Sequence, residues 1–298
     1  MTAKTMLFVA LGVVALVYLA AWIRHVRQGR GDPQPGTTQL AIGFLTNFFD
    51  TLGIGSFAPT TSMFKLNGLV PDEKIPGTLN VGHALPTIAQ AFIFIAIVEV
   101  DMKTLIGMIA ASIAGAWLGA GAVASWPRRR VQIGMGLALL AAASFFAMTN
   151  LHLFPPGGDT RGLTWPLFAF GLAGNFVLGA LMTLGIGLYA PCMILVALLG
   201  MNPRVAFPIM MGSCAFLMPI GSLRFIAKGS YSLRAAVGLA IGGVPAVFIA
   251  AFFVKSLPLE ILRWLVFGVV VYAAVAMLKS SRSEASSPAP APAPTATP

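Results

Sequence analysis

The feature that most constrains this chain is a series of long apolar segments separated by short stretches that carry charge. A helix needs about 20 apolar residues to cross the hydrocarbon core of a bilayer. Seven clear segments of this kind lie at 5–23, 75–99, 103–124, 131–149, 205–227, 233–254 and 259–279. We therefore predict an all-α polytopic membrane protein.

The composition excludes several other classes of protein. Only 9% of the residues are charged, whereas soluble domains average about 25%. The net charge of +10 lies in short clusters between apolar segments, which is typical of loops retained at a membrane face rather than of a nucleic-acid-binding surface. We expect a bilayer and a small anionic substrate as partners, and no nucleic acid, metal or cofactor.

Two further apolar regions, 38–66 and 164–200, are interrupted by glycine and proline and predict broken helices. The interruptions repeat, because TLGIGSFAP at 51–59 and TLGIGLYAP at 183–191 share seven of nine residues at an offset of 132. The same offset pairs further residues without a gap: Leu40 with Leu172, Phe44 with Phe176, Gly68 with Gly200, Pro71 with Pro203, and Pro76 with Pro208. These matches indicate an internal duplication.

Charge predicts the orientation of the two copies, because Lys and Arg in short loops are retained on the cytoplasmic side. We place on the cytoplasmic side the basic clusters at 24–30, 128–130, 224–234 and 279–282. The region 38–66 then begins and ends on the cytoplasmic side, and the region 164–200 begins and ends on the outer side. This arrangement puts 13 Lys and Arg inside and six outside. Each repeat is then a re-entrant hairpin followed by three spans, and the second repeat is inverted. Such a pattern is typical of alternating-access transporters; the alternative is two kinked helices in a structural membrane protein.

Four segments follow from this interpretation. Residues 1–37 are an N-terminal anchor helix with a basic loop, 38–150 the first repeat, 151–282 the second repeat, and 283–298 a Pro/Ala-rich tail that we expect to be disordered. We expect the cell inner membrane as the location, with the N-terminus outside and the C-terminus in the cytoplasm.

The segments GFLTNFFDTLGIGSFAP (43–59) and NFVLGALMTLGIGLYAP (175–191) resemble the paired signatures of the TauE/SafE family of sulfite and sulfonate exporters. The resemblance covers about residues 38–279 and leaves the anchor and the tail outside. Family members typically have a turn richer in glycine. The resemblance implies transport of sulfite, a sulfonate or a similar anion. The alternatives are a passive anion channel, a transporter of a non-sulfur organic anion, and a membrane-embedded enzyme, for which no catalytic cluster can be assembled from the sequence.

The two interrupted tips are the predicted anion site. Proline is tolerated in the first turn of a helix, so Pro59 and Pro191 mark the start of the second half of each broken helix. Free N–H groups and the positive dipole end suit an anion there, and glycines allow close approach. The candidate substrate-binding residues are Gly53, Gly55, Ser56, Pro59, Thr60, Thr61, Asn80, Gly185, Gly187, Pro191, Cys192 and Ser213. The alternative is that glycine and proline only shape the hairpins, while hydroxyls and amides satisfy local carbonyls or join helices.

Asp50 is the only carboxylate inside an apolar segment, and the offset of 132 pairs it with Met182. An unpaired charge at that depth costs several kcal/mol, so the carboxyl is expected to be protonated, partnered or facing a cavity. Asp50, with His83 nearby, is the candidate for proton coupling; the alternative is polar lining of the hairpin.

Overall fold

The computed structural model describes residues 2–28, 32–153, 157–185, 187–253 and 259–285. Within these ranges the chain forms helices and no β-strand. The helices are α1 (Ala3–Arg27), α2 (Thr37–Thr51), α3 (Phe57–Asn67), α4 (Ile75–Ile97), α5 (Met102–Val123), α6 (Arg128–Asn150), α7 (Leu167–Met182), α8 (Tyr189–Leu198), α9 (Ala206–Lys228), α10 (Leu233–Phe253) and α11 (Leu259–Ala285).

Six of these helices are long and apolar enough to cross a membrane, namely α1, α4, α5, α6, α9 and α10. Their bounds lie within a few residues of the predicted spans, and α11 covers the seventh predicted span at 259–279. The predicted all-α membrane class is confirmed. The tail was predicted to begin at residue 283, but α11 continues to Ala285, and residues 286–298 lie outside the described part of the chain.

The two interrupted regions are each divided into two short helices. The first region forms α2 and α3, separated by residues 52–56, and the second forms α7 and α8, separated by residues 183–188. Ile186, in the second interruption, lies outside the described residues. Both breaks fall at the repeated glycines, so the local sequence determines where these helices end.

The packing of the helices is symmetric between the two halves. If α2 to α6 are matched in order with α7 to α11, each contact in one half has a counterpart in the other. Thus α2 packs along α10 as α7 packs along α5; α4 contacts α10 as α9 contacts α5; and α3 contacts α11 as α8 contacts α6. The pairs α4 with α9 and α6 with α11 join equivalent helices.

The centre of the bundle is formed by α4 and α9, and α1 lies at its periphery. The most apolar part of Pro203–Lys228, the span that contains α9, is 89% buried, compared with 22% for that of α1. Close approach of α2 to α10 depends on Gly43, where an added Cβ would lie 2.6 Å from the carbonyl oxygen of Gly238. A larger side chain at this position would force the two helices apart.

One end of the bundle, here called the basic end, is defined by Lys74, Arg128, Lys228 and Arg234. Lys74 and Arg234 line the same cavity, although they follow α3 and α9 respectively. Lys228 is hydrogen-bonded to Ser125, in the turn just before Arg128. The segment after α3 and the loop between α9 and α10 therefore lie together at this end.

The opposite end is defined by Lys4, Glu99, Asp101 and Arg161. Arg161 forms an ion pair with Glu99, and its carbonyl oxygen accepts a hydrogen bond from the N–H of Asp101 at 2.8 Å. The segment after α8 also lies at this end, because the N–H of Asn202 donates to the carbonyl oxygen of Thr160 at 2.8 Å. The 23 residues of α4 connect the two ends, a length of about 35 Å. The segments after α3 and α8 therefore lie at opposite ends.

A polar network holds α3 at the basic end. Lys65, in the last turn of α3, donates to Asp72 at 2.7 Å and to Ser280 of α11 at 3.2 Å. Gln132 of α6 donates to the same Asp72 oxygen at 2.9 Å. The network has no counterpart in the second half, because the offset of 132 pairs Lys65 with Ala197.

Candidate functional site

The two breaks use backbone conformations that favour glycine. Gly53 and Gly55 have φ values of +90° and +89°, and Gly185, the partner of Gly53 in the repeat, has +95°. Other residues pay about 1–2 kcal/mol for such a conformation. These glycines therefore reverse the chain within a few residues, so that the second short helix begins close to the end of the first.

Both short helices begin with unbonded backbone donors. The first intrahelical bond of α3 runs from the N–H of Thr60 to the carbonyl of Ser56 at 3.0 Å, and that of α8 from Cys192 to Leu188 at 2.9 Å. Proline occupies the third helical position in each case, at Pro59 and Pro191. The two N–H groups before each proline have no intrahelical acceptor, and the positive end of the dipole lies there.

The starts of α3 and α8 meet at one small cavity. Its volume is about 30 Å³, and it is lined by Ile54, Gly55, Phe57, Ala58, Ala142, Phe145, Gly187, Tyr189 and Ala190. A Cβ added at Gly55 or Gly187 would meet no atom within 4 Å. A cavity of this size holds about one water molecule, so the two tips are nearly closed against each other in this conformation.

Asp50 belongs to a buried cluster beside this cavity. Gln90 Nε2 donates to Asp50 Oδ2 at 2.8 Å and to Thr51 Oγ1 at 3.0 Å. The hydroxyl of Tyr189, from the tip of the other half, lies 2.6 Å from Gln90 Oε1 and 3.3 Å from Asp50 Oδ2. A phenol has one hydrogen to donate, and the shorter distance assigns it to Gln90. Within the described part of the chain, no Lys or Arg forms an ion pair with Asp50.

His83 belongs to a second buried cluster. Its Nδ1 lies 3.0 Å from Asn47 Oδ1, and its Nε2 lies 3.0 Å from Thr60 Oγ1. Asn47 uses its Nδ2 to donate to a backbone carbonyl of α2 at 2.7 Å, so its amide oxygen faces the ring. This pattern assigns the proton to Nδ1 and leaves Nε2 to accept from Thr60. His83 therefore joins α2, α3 and α4 and makes no hydrogen bond to Asp50, which lies one helical turn beyond Asn47.

The structure brings only some of the predicted binding residues to the cavity. Gly55 and Gly187 line it directly, and Gly53, Ser56, Pro59, Gly185 and Pro191 belong to the turns and first helical turns beside it. Thr61 is buried, and its hydroxyl has no hydrogen-bond partner within the described residues. Cys192 is fully buried one residue after Pro191.

Asn80 and Ser213 lie away from the cavity lining. Asn80 donates to the carbonyl of Pro76 at 2.9 Å, and its Oδ1 has no partner within the described residues. Ser213 accepts a hydrogen bond from Asn175 Nδ2 at 2.9 Å, which joins α9 to α7. This contact of Ser213 agrees with the alternative to substrate binding, in which polar side chains join neighbouring helices.

Tyr189 was not identified as a site residue from the sequence, nor was Gln90. The repeat contains a signal that points to the first of them. Asp50 is paired with Met182, and Tyr189 is paired with Phe57, so at each of these positions one half has a polar group where the other half has none. The structure brings these two polar groups together, with Gln90 between them.

The geometry can now be set beside known proteins. The family model described as Sulfite exporter TauE/SafE matches residues 1–146 and 167–298. The chain belongs to the TauE/SafE family. The match includes the N-terminal anchor and the C-terminal tail, so the expectation that these segments lie outside the family likeness is wrong. No curated protein and no solved structure gives a significant match.

Membership of TauE/SafE and the apolar helices establish a multi-pass membrane protein of a transporter family. The family's description names export of a sulfur anion and no catalysed reaction. Among the described residues, no group of three or more His, Cys, Asp or Glu side chains is arranged to hold a metal ion.

Proposed function

We propose that this protein is a secondary transporter that moves sulfite, a sulfonate or a similar small sulfur-containing anion by alternating access. The observation that carries the proposal is the meeting of two helix N-termini, those of α3 and α8, at one cavity within a bundle of apolar helices. Backbone N–H groups and helix dipoles at such ends favour an anion. Family membership supplies the sulfur chemistry.

The proposed scaffold is a pair of inverted repeats with re-entrant tips. The exchange symmetry of the helix contacts supports it, as does the finding that the segments after α3 and α8 lie at opposite ends of the bundle. A re-entrant hairpin leaves irregular backbone at membrane depth, which is tolerated where protein or a water-filled cavity satisfies it. The described residues of both interruptions, at 52–56, 183–185 and 187–188, are buried or half-buried.

The basic end is proposed to face the cytoplasm of a cell inner membrane. Lys and Arg concentrate there, as retention of positive loops requires. This orientation puts the N-terminus outside and the C-terminus inside. The first repeat then presents its tip from the cytoplasmic side, and the second repeat presents its tip from the outside.

A site without a fixed cation can release its anion as well as bind it. Within the described residues, no Lys or Arg lines the cavity between the tips. The cavity holds about one water molecule, so the tips must separate to admit the anion. Separation of α3 from the cavity would open a path from the basic end, and separation of α8 a path from the opposite end.

Asp50 is the proposed proton-coupling group, and His83 is the second candidate. Asp50 is 2% exposed and accepts hydrogen bonds without a cationic partner among the described residues, which makes its charged form costly. Its contact with Tyr189 joins it to the α8 tip, so movement of that tip would change the surroundings of the carboxyl. A proton carried with the anion would also reduce the net charge that crosses the bilayer.

The direct test is uptake of radiolabelled sulfite into proteoliposomes containing the purified full chain, with protein-free liposomes as the control. Small sulfonates, sulfate and carboxylates are added as competitors under an imposed pH gradient. We expect saturable uptake, counterflow against unlabelled sulfite, and competition by sulfonates. Unsaturable flux without counterflow would indicate a passive channel. Stronger competition by carboxylates than by sulfonates would indicate a transporter of non-sulfur organic anions.

A further inference from the structure

Outside the tip region, the structure contains a large apolar groove on the flank of the bundle. It lies between α1 and α10, has a volume of about 630 Å³, and is lined almost entirely by apolar side chains of these helices with Leu85 of α4. The lining includes Trp22 and Arg27 of α1 and Val237, Ala240 and Pro245 of α10. The groove is separate from the cavity between the two tips.

The depth of the groove corresponds to one leaflet. From Val237 to Pro245 its lining extends along α10, and this separation of positions corresponds to a rise of about 12 Å at 1.5 Å per residue. Half of a hydrocarbon core of about 30 Å is about 15 Å. The groove therefore begins near the basic end and stops near the middle of the bilayer, as the space for an acyl chain would.

The basic end of the groove leads to a polar basin. The basin has a volume of about 350 Å³ and is lined by His25, Asp32, Pro71, Lys74, Gly229, Tyr231, Ser232, Leu233 and Arg234. It adjoins the groove along both helices, because His25 is next to residues of the α1 lining and Arg234 lies one turn before Val237.

The basin carries more positive than negative charge. Lys74 and Arg234 contribute two cations, and Asp32 contributes one carboxylate, which already accepts a hydrogen bond from the N–H of Gln34 at 2.9 Å. Arg27 adds a cation where the groove approaches this end. The hydroxyl of Tyr231 is buried and makes no hydrogen bond within the described part of the chain.

We propose that the groove and the basin together bind one anionic phospholipid, with an acyl chain between α1 and α10 and its phosphate at Lys74 and Arg234. Phosphate is complementary to two cations and a hydroxyl donor, and basic pockets at the ends of membrane helices bind anionic headgroups. A polar or charged peptide would not match the apolar lining. The lipid would fill the gap between the peripheral α1 and the bundle.

The test uses Trp22 as a reporter, because it lines the groove. The full chain, with its other four tryptophans replaced by Phe, is reconstituted in bilayers that contain increasing fractions of brominated phosphatidylglycerol or brominated phosphatidylcholine. We expect half-maximal quenching of Trp22 at a roughly tenfold lower fraction of the anionic lipid, because Lys74 and Arg234 attract an anionic headgroup and Asp32 offsets only part of that attraction. A chain that retains only the exposed Trp165, outside the groove, should show no such preference.

Two double variants separate the basin from general surface charge. Lys74→Gln with Arg234→Gln should reduce the preference to about twofold or less. Lys103→Gln with Arg161→Gln removes the same charge outside the basin and should leave the preference at about tenfold. Equal quenching by both lipids, or a preference that survives loss of Lys74 and Arg234, would refute the proposal.

Two further measurements complete the test. The first does not need the tryptophan replacements, and the second distinguishes a lipid phosphate from free inorganic phosphate. Native mass spectrometry of the otherwise unmodified chain should show bound phosphatidylglycerol that is lost in the Lys74→Gln/Arg234→Gln variant; retention in that variant would contradict the assignment. Inorganic phosphate at millimolar concentration should leave Trp22 quenching unchanged. Recovery of fluorescence with phosphate would mean that the basin binds free anions, and the lipid assignment would be wrong.

Discussion

Replacement of Asp50 by Asn tests whether this carboxyl carries the coupled proton. Asn is close in shape to a protonated carboxyl, and its amide oxygen can still accept the hydrogen bond that Gln90 Nε2 now donates at 2.8 Å. The buried cluster therefore stays paired, and the free energy of unfolding should change by no more than about 1 kcal/mol. Substrate exchange without a gradient should continue, because the tips are unaltered.

The expected loss is confined to gradient-driven accumulation. A pH difference of one unit supplies about 1.4 kcal/mol per proton, which equals a tenfold substrate gradient at one proton per anion. Proteoliposomes with the wild-type chain should therefore approach about tenfold accumulation, and those with Asp50→Asn should remain near unity. The matched control is Asp101→Asn, which makes the same change at the N-cap of α5, where Asn caps as well as Asp. Tenfold accumulation by the folded Asp50→Asn variant would refute the coupling role.

Three other predictions address the tips, the topology and the cluster. Gly187→Val should weaken sulfite binding at least tenfold without loss of membrane insertion, because its side chain would enter the tip cavity; equilibrium binding that matches the wild type would exclude this site. Single cysteines at two exposed positions, Asn67 at the end of α3 and Arg204 in the segment after α8, should react with an impermeant thiol reagent from inside and outside respectively. Labelling of both from one side would contradict the inverted repeat. Tyr189→Phe leaves Gln90 Oε1, the buried acceptor of the 2.6 Å bond, unpaired, so it should lower the free energy of unfolding by about 1–3 kcal/mol. The control Tyr272→Phe, at a residue that is 58% exposed, should leave the free energy of unfolding unchanged. Equal effects of the two substitutions in thermal unfolding would argue against the bond.

The positions of the helices could be predicted from the sequence because they depend on local properties. The span predicted at 75–99 is α4, Ile75–Ile97, and the breaks fall at the glycines that repeat at an offset of 132. The length of the apolar segment determines the span of α4, and the conformational freedom of glycine determines where the two breaks lie. Both properties can be identified in a single segment.

The partners of the polar residues could not be predicted in the same way. Tyr189 is 139 residues from Asp50 in the sequence, and Gln90 lies on a third helix, so their contact depends on how the two halves pack. His83 illustrates the same limit: the expectation put it near Asp50, whereas its hydrogen bonds go to Asn47 and Thr60. Asn80 and Ser213 were both predicted as substrate-binding residues, yet Asn80 donates to a carbonyl of its own helix and Ser213 joins α9 to α7.

The network of Lys65, Asp72 and Ser280 gives the two tips unequal anchors. Movement of α3 away from the cavity would break charge-assisted hydrogen bonds at the basic end, each of which contributes about 1.5–3 kcal/mol. Among the described residues no such network holds α8, since Ala197 occupies the position equivalent to Lys65. Under alternating access, the two open states therefore differ in free energy, and the half-saturating anion concentration differs between the two faces. Transport at one anion concentration would then be faster in one direction across the membrane than in the other, although the scaffold is symmetric. Lys65→Met would make the two transport rates more nearly equal.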